Sequence, residues 1–87
     1  MVKVTIYSRN WCGYCFRAKR LLEAKGVAFE EIDVDVDFDR EREMIQRSGG
    51  RLTVPQVFID GDHVGGSDEL HDLERRGELD RLLGFQS

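Results

Sequence analysis

Between Val2 and Val34 the chain changes hydrophobic period twice, and both of its cysteines sit at the first change. Val2, Val4 and Ile6 alternate with Lys3, Thr5 and Tyr7, the period of a strand. From Phe16 to Lys25 the pattern becomes helical. Ala18, Leu21, Leu22 and the stem of Lys25 recur at i, i+3, i+4 and i+7. Gly26 suits the position just past a helix end. Ala28 to Val34 then returns to strand composition, rich in Phe, Ile and Val. A strand–helix–strand unit makes parallel pairing through a crossover. The sheet therefore begins parallel.

The second half of the chain reads as a helix, a hairpin and a closing helix. Asp37 to Arg47 has helical composition with Met44 and Ile45 as its apolar contacts, and Ser48-Gly49-Gly50 breaks it. Val54 to Ile59 is a third strand, with Pro55 at its start, where a missing N–H is tolerated. Asp60-Gly61 signals a tight turn, and His63-Val64-Gly65 is a short antiparallel partner. Ser67-Asp68-Glu69 opens a helix containing Leu70 and Leu73. Gly77 punctuates it, and Glu78 to Leu83 adds a last amphipathic turn. The order β-α-β-α-β-β-α predicts a four-stranded mixed sheet flanked by helices, the thioredoxin-like α/β arrangement.

Length and charge narrow the function. One domain over residues 1–87 is the expectation for a chain this short. Hydrophobic residues make up 40% and charged residues 34%, ordinary for a globular domain. A net charge of −4 favours neither nucleic acid nor an anionic membrane as partner. No apolar run is long enough to span a bilayer. The alternating start lacks the apolar stretch of a signal peptide, so the cytoplasm is the expected location.

Cys12-Gly13-Tyr14-Cys15 lies between the first strand and the first helix. A helix start presents unpaired N–H groups and a partial positive charge, which stabilise a thiolate. Cys12 is therefore the expected nucleophile. Arg9, Arg17, Lys19 and Arg20 add positive charge nearby. Cys15, one turn on, is placed to attack a mixed disulfide formed on Cys12 and release the product. Two cysteines this close are not the disulfide framework of a small secreted protein. Half of a zinc site is the alternative, but His63 and His71 lack the spacing of its second half.

Two further segments suit a ligand. Thr53-Val54-Pro55 contains the single proline of the chain. In the proposed fold this loop lies beside the cysteines, where a cis bond would turn the Val54 backbone toward an extended thiol peptide. The alternative is a strand-initiating proline without a ligand role. Gly65-Gly66-Ser67-Asp68 combines glycines that permit close approach, a helix start that favours a carboxylate, and an aspartate that can pair with an amine. Ser67 or Asp68 is expected to cap that helix. Such a site suits a zwitterionic amino-acid head, although a plain hairpin-to-helix turn has the same sequence.

The remaining features are structural expectations. Asp33, Asp35, Asp37 and Asp39 alternate, but an EF-hand loop from Asp33 would put Phe38 at its glycine and Met44 at its glutamate. The run is read as strand end and helix start. His63, His71 and Arg75-Arg76 are read as surface polar residues. Trp11 and Phe16 suit either partner contact or core packing.

Three segments in order resemble the glutaredoxin family, of the short bacterial dithiol type. They are Ile6 to Cys15, Thr53 to Ile59, and Gly65 to Leu70. The resemblance covers essentially the whole chain. It implies a glutathione-dependent oxidoreductase that reduces protein disulfides and protein–glutathione mixed disulfides, with Cys12 attacking and Cys15 resolving. It implies that Arg9 stands where the family often has a Lys that meets the glycine carboxylate of glutathione, and that Tyr14 packs on the tripeptide. Thr53, Val54 and Pro55 form the segment whose Val54 backbone would bind the cysteinyl part, and Gly66, Ser67 and Asp68 would hold the γ-glutamyl end. Gly13 departs from the proline usual there. A dimer holding a [2Fe-2S] cluster through Cys12 and glutathione is therefore the alternative to a monomeric enzyme. A redoxin served by a flavoprotein reductase is a third reading. A loop one residue longer, Gly49 to Leu52, leaves open whether Arg47, Arg51 or neither meets a glutathione carboxylate.

Overall fold

The computed structural model describes residues 2–85. Its elements follow the order β1 Val4–Ser8, α1 Gly13–Ala24, β2 Glu30–Asp33, α2 Phe38–Arg47, β3 Gln56–Ile59, β4 Asp62–Gly65, α3 Ser67–Arg75 and α4 Leu79–Leu82. The sheet runs β2-β1-β3-β4. β1 and β2 are parallel, as the crossover through α1 requires, and β3 is antiparallel to both β1 and β4. This is the four-stranded mixed sheet expected from the sequence.

The two faces of the sheet bury separate clusters. Val4 and Ile6 of β1 join Val57 and Ile59 of β3 against Ala18 and Leu22 of α1, Leu70 of α3 and Leu79 of α4. Tyr7 and Phe58 point the other way, to Ile32, Val34 and Met44 of α2. Each fully buried aliphatic side chain contributes ~1.5–3 kcal/mol relative to exposure. With helices on both faces, all of β1 is buried, Thr5 and Ser8 included. Its sequence alternation reports which face a residue meets, not which face meets water.

Local chemistry explains most boundaries. Gly26, at φ 73°, ends α1 in a left-handed turn; its N–H donates to Glu23 O and that of Val27 to Leu22 O. Asp37 caps α2 by accepting from Asp39 N at 3.0 Å. Asp60 and Gly61, at φ 52° and 86°, form the tight turn between β3 and β4. β2 is shorter than the Ala28–Val34 run because it is an edge strand whose Glu30 and Glu31 are exposed. Among the described residues, no helix is long and apolar enough to cross a membrane.

Candidate active site

α1 starts three residues earlier than its apolar period suggested, because its cap is a cysteine. Cys12 is extended, at φ −105° and ψ 110°, and its Sγ accepts a hydrogen bond from Cys15 N at 3.2 Å. A helix start is thereby aimed at the sulfur of Cys12, with the donors and positive end that favour an anion. The Cys12 thiol also faces Val54 O at 3.8 Å. Cys12 is partly exposed and Cys15 is 1% exposed. Burial, reinforced by the hydrogen bond with Cys12, pushes the Cys15 thiol up to about 12. At neutral pH Cys15 is therefore a protonated thiol under the first turn. The pair consists of one accessible sulfur and one sheltered sulfur.

The residue before the pair is held outward. Trp11 adopts a left-handed φ of 60° and is fully exposed. Tyr14 and Phe16 are exposed as well. The core reading of Trp11 and Phe16 therefore gives way, because β1 and α1 fill the interior with smaller aliphatic residues.

Beside Cys12 lies a groove of about 320 Å³. Tyr14 forms one wall; Thr53, Val54 and Pro55 form another; Gly66, Ser67 and Asp68 close the end. The Val54–Pro55 peptide bond is cis. A side chain at Gly66 would press on Pro55 O, its Cβ at 3.2 Å, so glycine lets the two backbones approach closely here. Arg51 and Glu69 also line the groove.

The α3 cap differs from expectation. Gly66, not Ser67 or Asp68, is the N-cap, and Ser67 is buried in the first turn. Glycine at this position has no side-chain oxygen for the first-turn N–H groups; Glu69 satisfies the donor of the N-cap itself, Gly66 N donating to its Oε1 at 2.7 Å. Arg51 donates to the same oxygen at 3.2 Å. The Gly66 N–H first, and Arg51 after it, hold the Glu69 carboxyl below the usual carboxylate range. The Gly66-x-x-Glu69 spacing carried this signal, and the sequence reading missed it. Nothing local to Arg51 marked it for the groove.

Basic residues divide sharply. Arg9 does not line the groove; its guanidinium pairs with Asp35 and Glu41. Lys19 pairs with Glu31 at 2.8 Å. The positive charge expected around Cys12 from these two residues is thus offset by carboxylates. Arg47 turns inward, donating to Tyr7 Oη at 2.7 Å and lying 4.3 Å from the centre of the Phe58 ring. Of the two arginines left open by the sequence, Arg51 is the one at the groove. His63 is exposed, as expected, although its ring pairs with Gln56 at 2.6 Å; His71 is half-buried and meets Ser67 O at 2.8 Å.

Comparison with known proteins agrees with this geometry. The glutaredoxin family model matches residues 4–64. Glutaredoxin 3 of Escherichia coli strain K12 is 53% identical over 83 residues, covering 95% of this chain and 99% of that protein. Among solved structures, Brucella melitensis glutaredoxin is 53% identical with a TM-score of 0.83, covering 95% of this chain and 89% of that one. A buckwheat glutaredoxin–glutathione complex is 34% identical with a TM-score of 0.85, covering 93% of this chain and 76% of that one. The fold, the accessible cysteine at a helix start and this similarity along nearly the full chain lead to one conclusion: the chain belongs to the glutaredoxin family of thiol–disulfide oxidoreductases.

Proposed function

We propose that a single glutaredoxin domain, residues 1–87, reduces protein disulfides and protein–glutathione mixed disulfides with glutathione as the electron donor. The observation that carries this reading is the groove whose Val54 wall lies against Cys12. It gathers groups that suit a short zwitterionic peptide: the Arg51 guanidinium beside Glu69 and the α3 start for carboxylates, and Asp68 for an amine. The Val54 backbone, also in the groove lining, faces Cys12 Sγ. Tyr14 forms the apolar wall. The buckwheat protein was solved with glutathione, which supports the same ligand class here. Arg9 contributes only if it exchanges Asp35 and Glu41 for the ligand.

Atoms and electrons balance in the thiol exchange. The Cys12 thiolate attacks one sulfur of the substrate disulfide; that S–S bond breaks, and the leaving thiolate takes a proton from water. For a protein disulfide, Cys15 gives up its proton and attacks Cys12 Sγ, releasing the second substrate thiol and leaving a Cys12–Cys15 disulfide. Two glutathione thiols then reduce that disulfide and leave as glutathione disulfide. For a glutathione mixed disulfide, the protein leaves as a thiol and a second glutathione resolves Cys12 directly. A reducing cytoplasm and a monomer suit this cycle.

The test is turnover of a small disulfide and of a glutathionylated protein, with glutathione or dithiothreitol as reductant. Glutathione-supported turnover is expected, lost in Cys12→Ser. In Cys15→Ser, mixed-disulfide reduction persists and protein-disulfide reduction falls sharply. Turnover with dithiothreitol but none with glutathione would overturn the reading.

The second reading is a glutathione-ligated [2Fe-2S] dimer. Gly13 favours it: glycine leaves φ free where the family usually carries proline, and no neighbour lies within 4 Å of a Cβ built there to hold the loop. One chain offers a single accessible cysteine sulfur, and no cluster of three ligating side chains occurs among the described residues. Four sulfurs would therefore need Cys12 from two subunits and two glutathione thiols. Anaerobic reconstitution with iron, sulfide and glutathione tests it; a colourless monomer rejects it.

A further inference from the structure

Among the described residues, Gln56 is the one primary amide buried completely in the core, at 0% exposure. A buried amide needs partners at both ends. Its Nε2 donates to Thr53 O at 2.9 Å and approaches Thr53 Oγ1 at 3.4 Å. Its Oε1 faces His63 Nε2 at 2.6 Å. Because the amide nitrogen is committed to a carbonyl, the atom facing His63 is an acceptor, and His63 Nε2 must carry the hydrogen. His63 is itself set against the Phe58 ring, with centroids 5.0 Å apart. A hydrogen-bonded chain therefore runs from the exposed His63 of β4 through Gln56 of β3 to the loop before Pro55.

That loop has little else to hold it. β3 begins at Gln56, so residues 53–55 lie beyond the sheet ladder. Among the described residues, no backbone–backbone hydrogen bond outside the regular elements involves Thr53, Val54 or Pro55. Yet Val54 O lies 3.8 Å from Cys12 Sγ, and all three residues line the groove. We propose that Gln56, oriented by His63, is a positioning residue for the thiol-binding backbone: it fixes the Thr53 carbonyl and thereby the Val54 edge that receives the incoming thiol peptide. This rests on the glutathione reading given above.

Gln56→Met keeps the shape of the side chain and removes both hydrogen bonds. The measurement is kcat/KM for one small disulfide with glutathione and with dithiothreitol, in wild type and variant. The ratio cancels any loss of folded protein or of Cys12 reactivity. Dithiothreitol needs no peptide-binding edge, so the glutathione-to-dithiothreitol ratio falls about fivefold in Gln56→Met, the worth of about one hydrogen bond. His63→Phe, which keeps the ring on Phe58, lowers the ratio in the same direction by less. An unchanged ratio in Gln56→Met overturns the proposal while leaving the glutathione reading intact. Absence of glutathione turnover in wild type overturns that reading and this proposal with it. Nitrogen-15 NMR of the wild-type protein at pH 8 adds a readout independent of variant folding: an Nε2–H tautomer for His63 is required, and an Nδ1–H tautomer overturns the chain.

Discussion

Cys12 and Cys15 differ by one helical turn, and that turn separates an accessible sulfur from a buried one. The Cys12 sulfur takes the place of the oxygen that usually caps a helix, while the Cys15 thiol is pushed up to about 12 by burial first and by its bond with Cys12 second. Iodoacetamide at pH 7 is therefore expected to add a single carbamidomethyl group, on Cys12, and peptide mass spectrometry locates it. Two groups added at similar rates would contradict the burial of Cys15. The same shift has a sign in stability. Cys15 holds its proton more tightly folded than unfolded, so its contribution is complete below the ordinary thiol value and is lost as pH rises from there toward about 12. The reduced protein should melt progressively lower across that alkaline range, and Cys15→Ser should show a shallower decline. The roles of these two residues were legible in the sequence because both follow from their spacing at a helix start.

The helices are closed by caps and tied to their neighbours by ion pairs that differ in how far they reach along the chain. Asp37 caps α2 from an adjacent position, at the helix start that the sequence indicated. α3 depends on Glu69, which closes Gly66 and receives Arg51 from the loop before β3. Glu69→Ala is expected to cost ~1 kcal/mol, the usual worth of a helix N-cap, read by urea denaturation at pH 7. The Glu69 carboxyl is held low chiefly by Gly66 N–H, so its contribution is present above the ordinary carboxylate value and is lost as pH falls through the lowered one. The gap between wild type and Glu69→Ala should close in acid; a gap that persists there would assign the loss to packing. Lys25, expected to lay its stem along the core stripe of α1, also bridges Glu74 of α3 and Asp80 of α4, at 2.7 Å each. That bridge was invisible locally because its partners lie in helices at the other end of the chain.

On the scale of the molecule, two cores share one sheet, and the larger one joins α1, α3 and α4. Leu22 is fully buried there. Leu22→Ala is expected to destabilise by ~2–5 kcal/mol, since the surrounding helices cannot collapse fully into the space. In a domain of this size each kcal/mol lowers the melting temperature by about 4–8 °C. Thermal denaturation followed by circular dichroism checks it, and a shift of only a degree or two would mean that α1 packs loosely. The active site sits on top of this core, because α1 presents Cys12 from its start and Leu22 from its far end. Strong destabilisation should therefore reduce activity at high temperature before any groove residue is touched.

Sequence alone determined the order of strands and helices, the parallel start of the sheet, the Asp60-Gly61 turn and the placement of the cysteines at a helix start. These depend on hydrophobic period and on residues within a few positions of one another, so neighbours in the chain encode them. Tertiary structure decided where the long charged side chains go. Arg9 meets Asp35 and Glu41, 26 and 32 positions away, while Arg51 meets Glu69, 18 positions away, and is left at the groove. It also decided that Trp11 faces solvent, that Ser8 and Thr5 are buried, and that Gln56 reaches back to Thr53. An arginine carries its charge on a flexible stem and pairs with whichever carboxylate the fold brings within reach. No local pattern names that carboxylate before the sheet and helices have assembled.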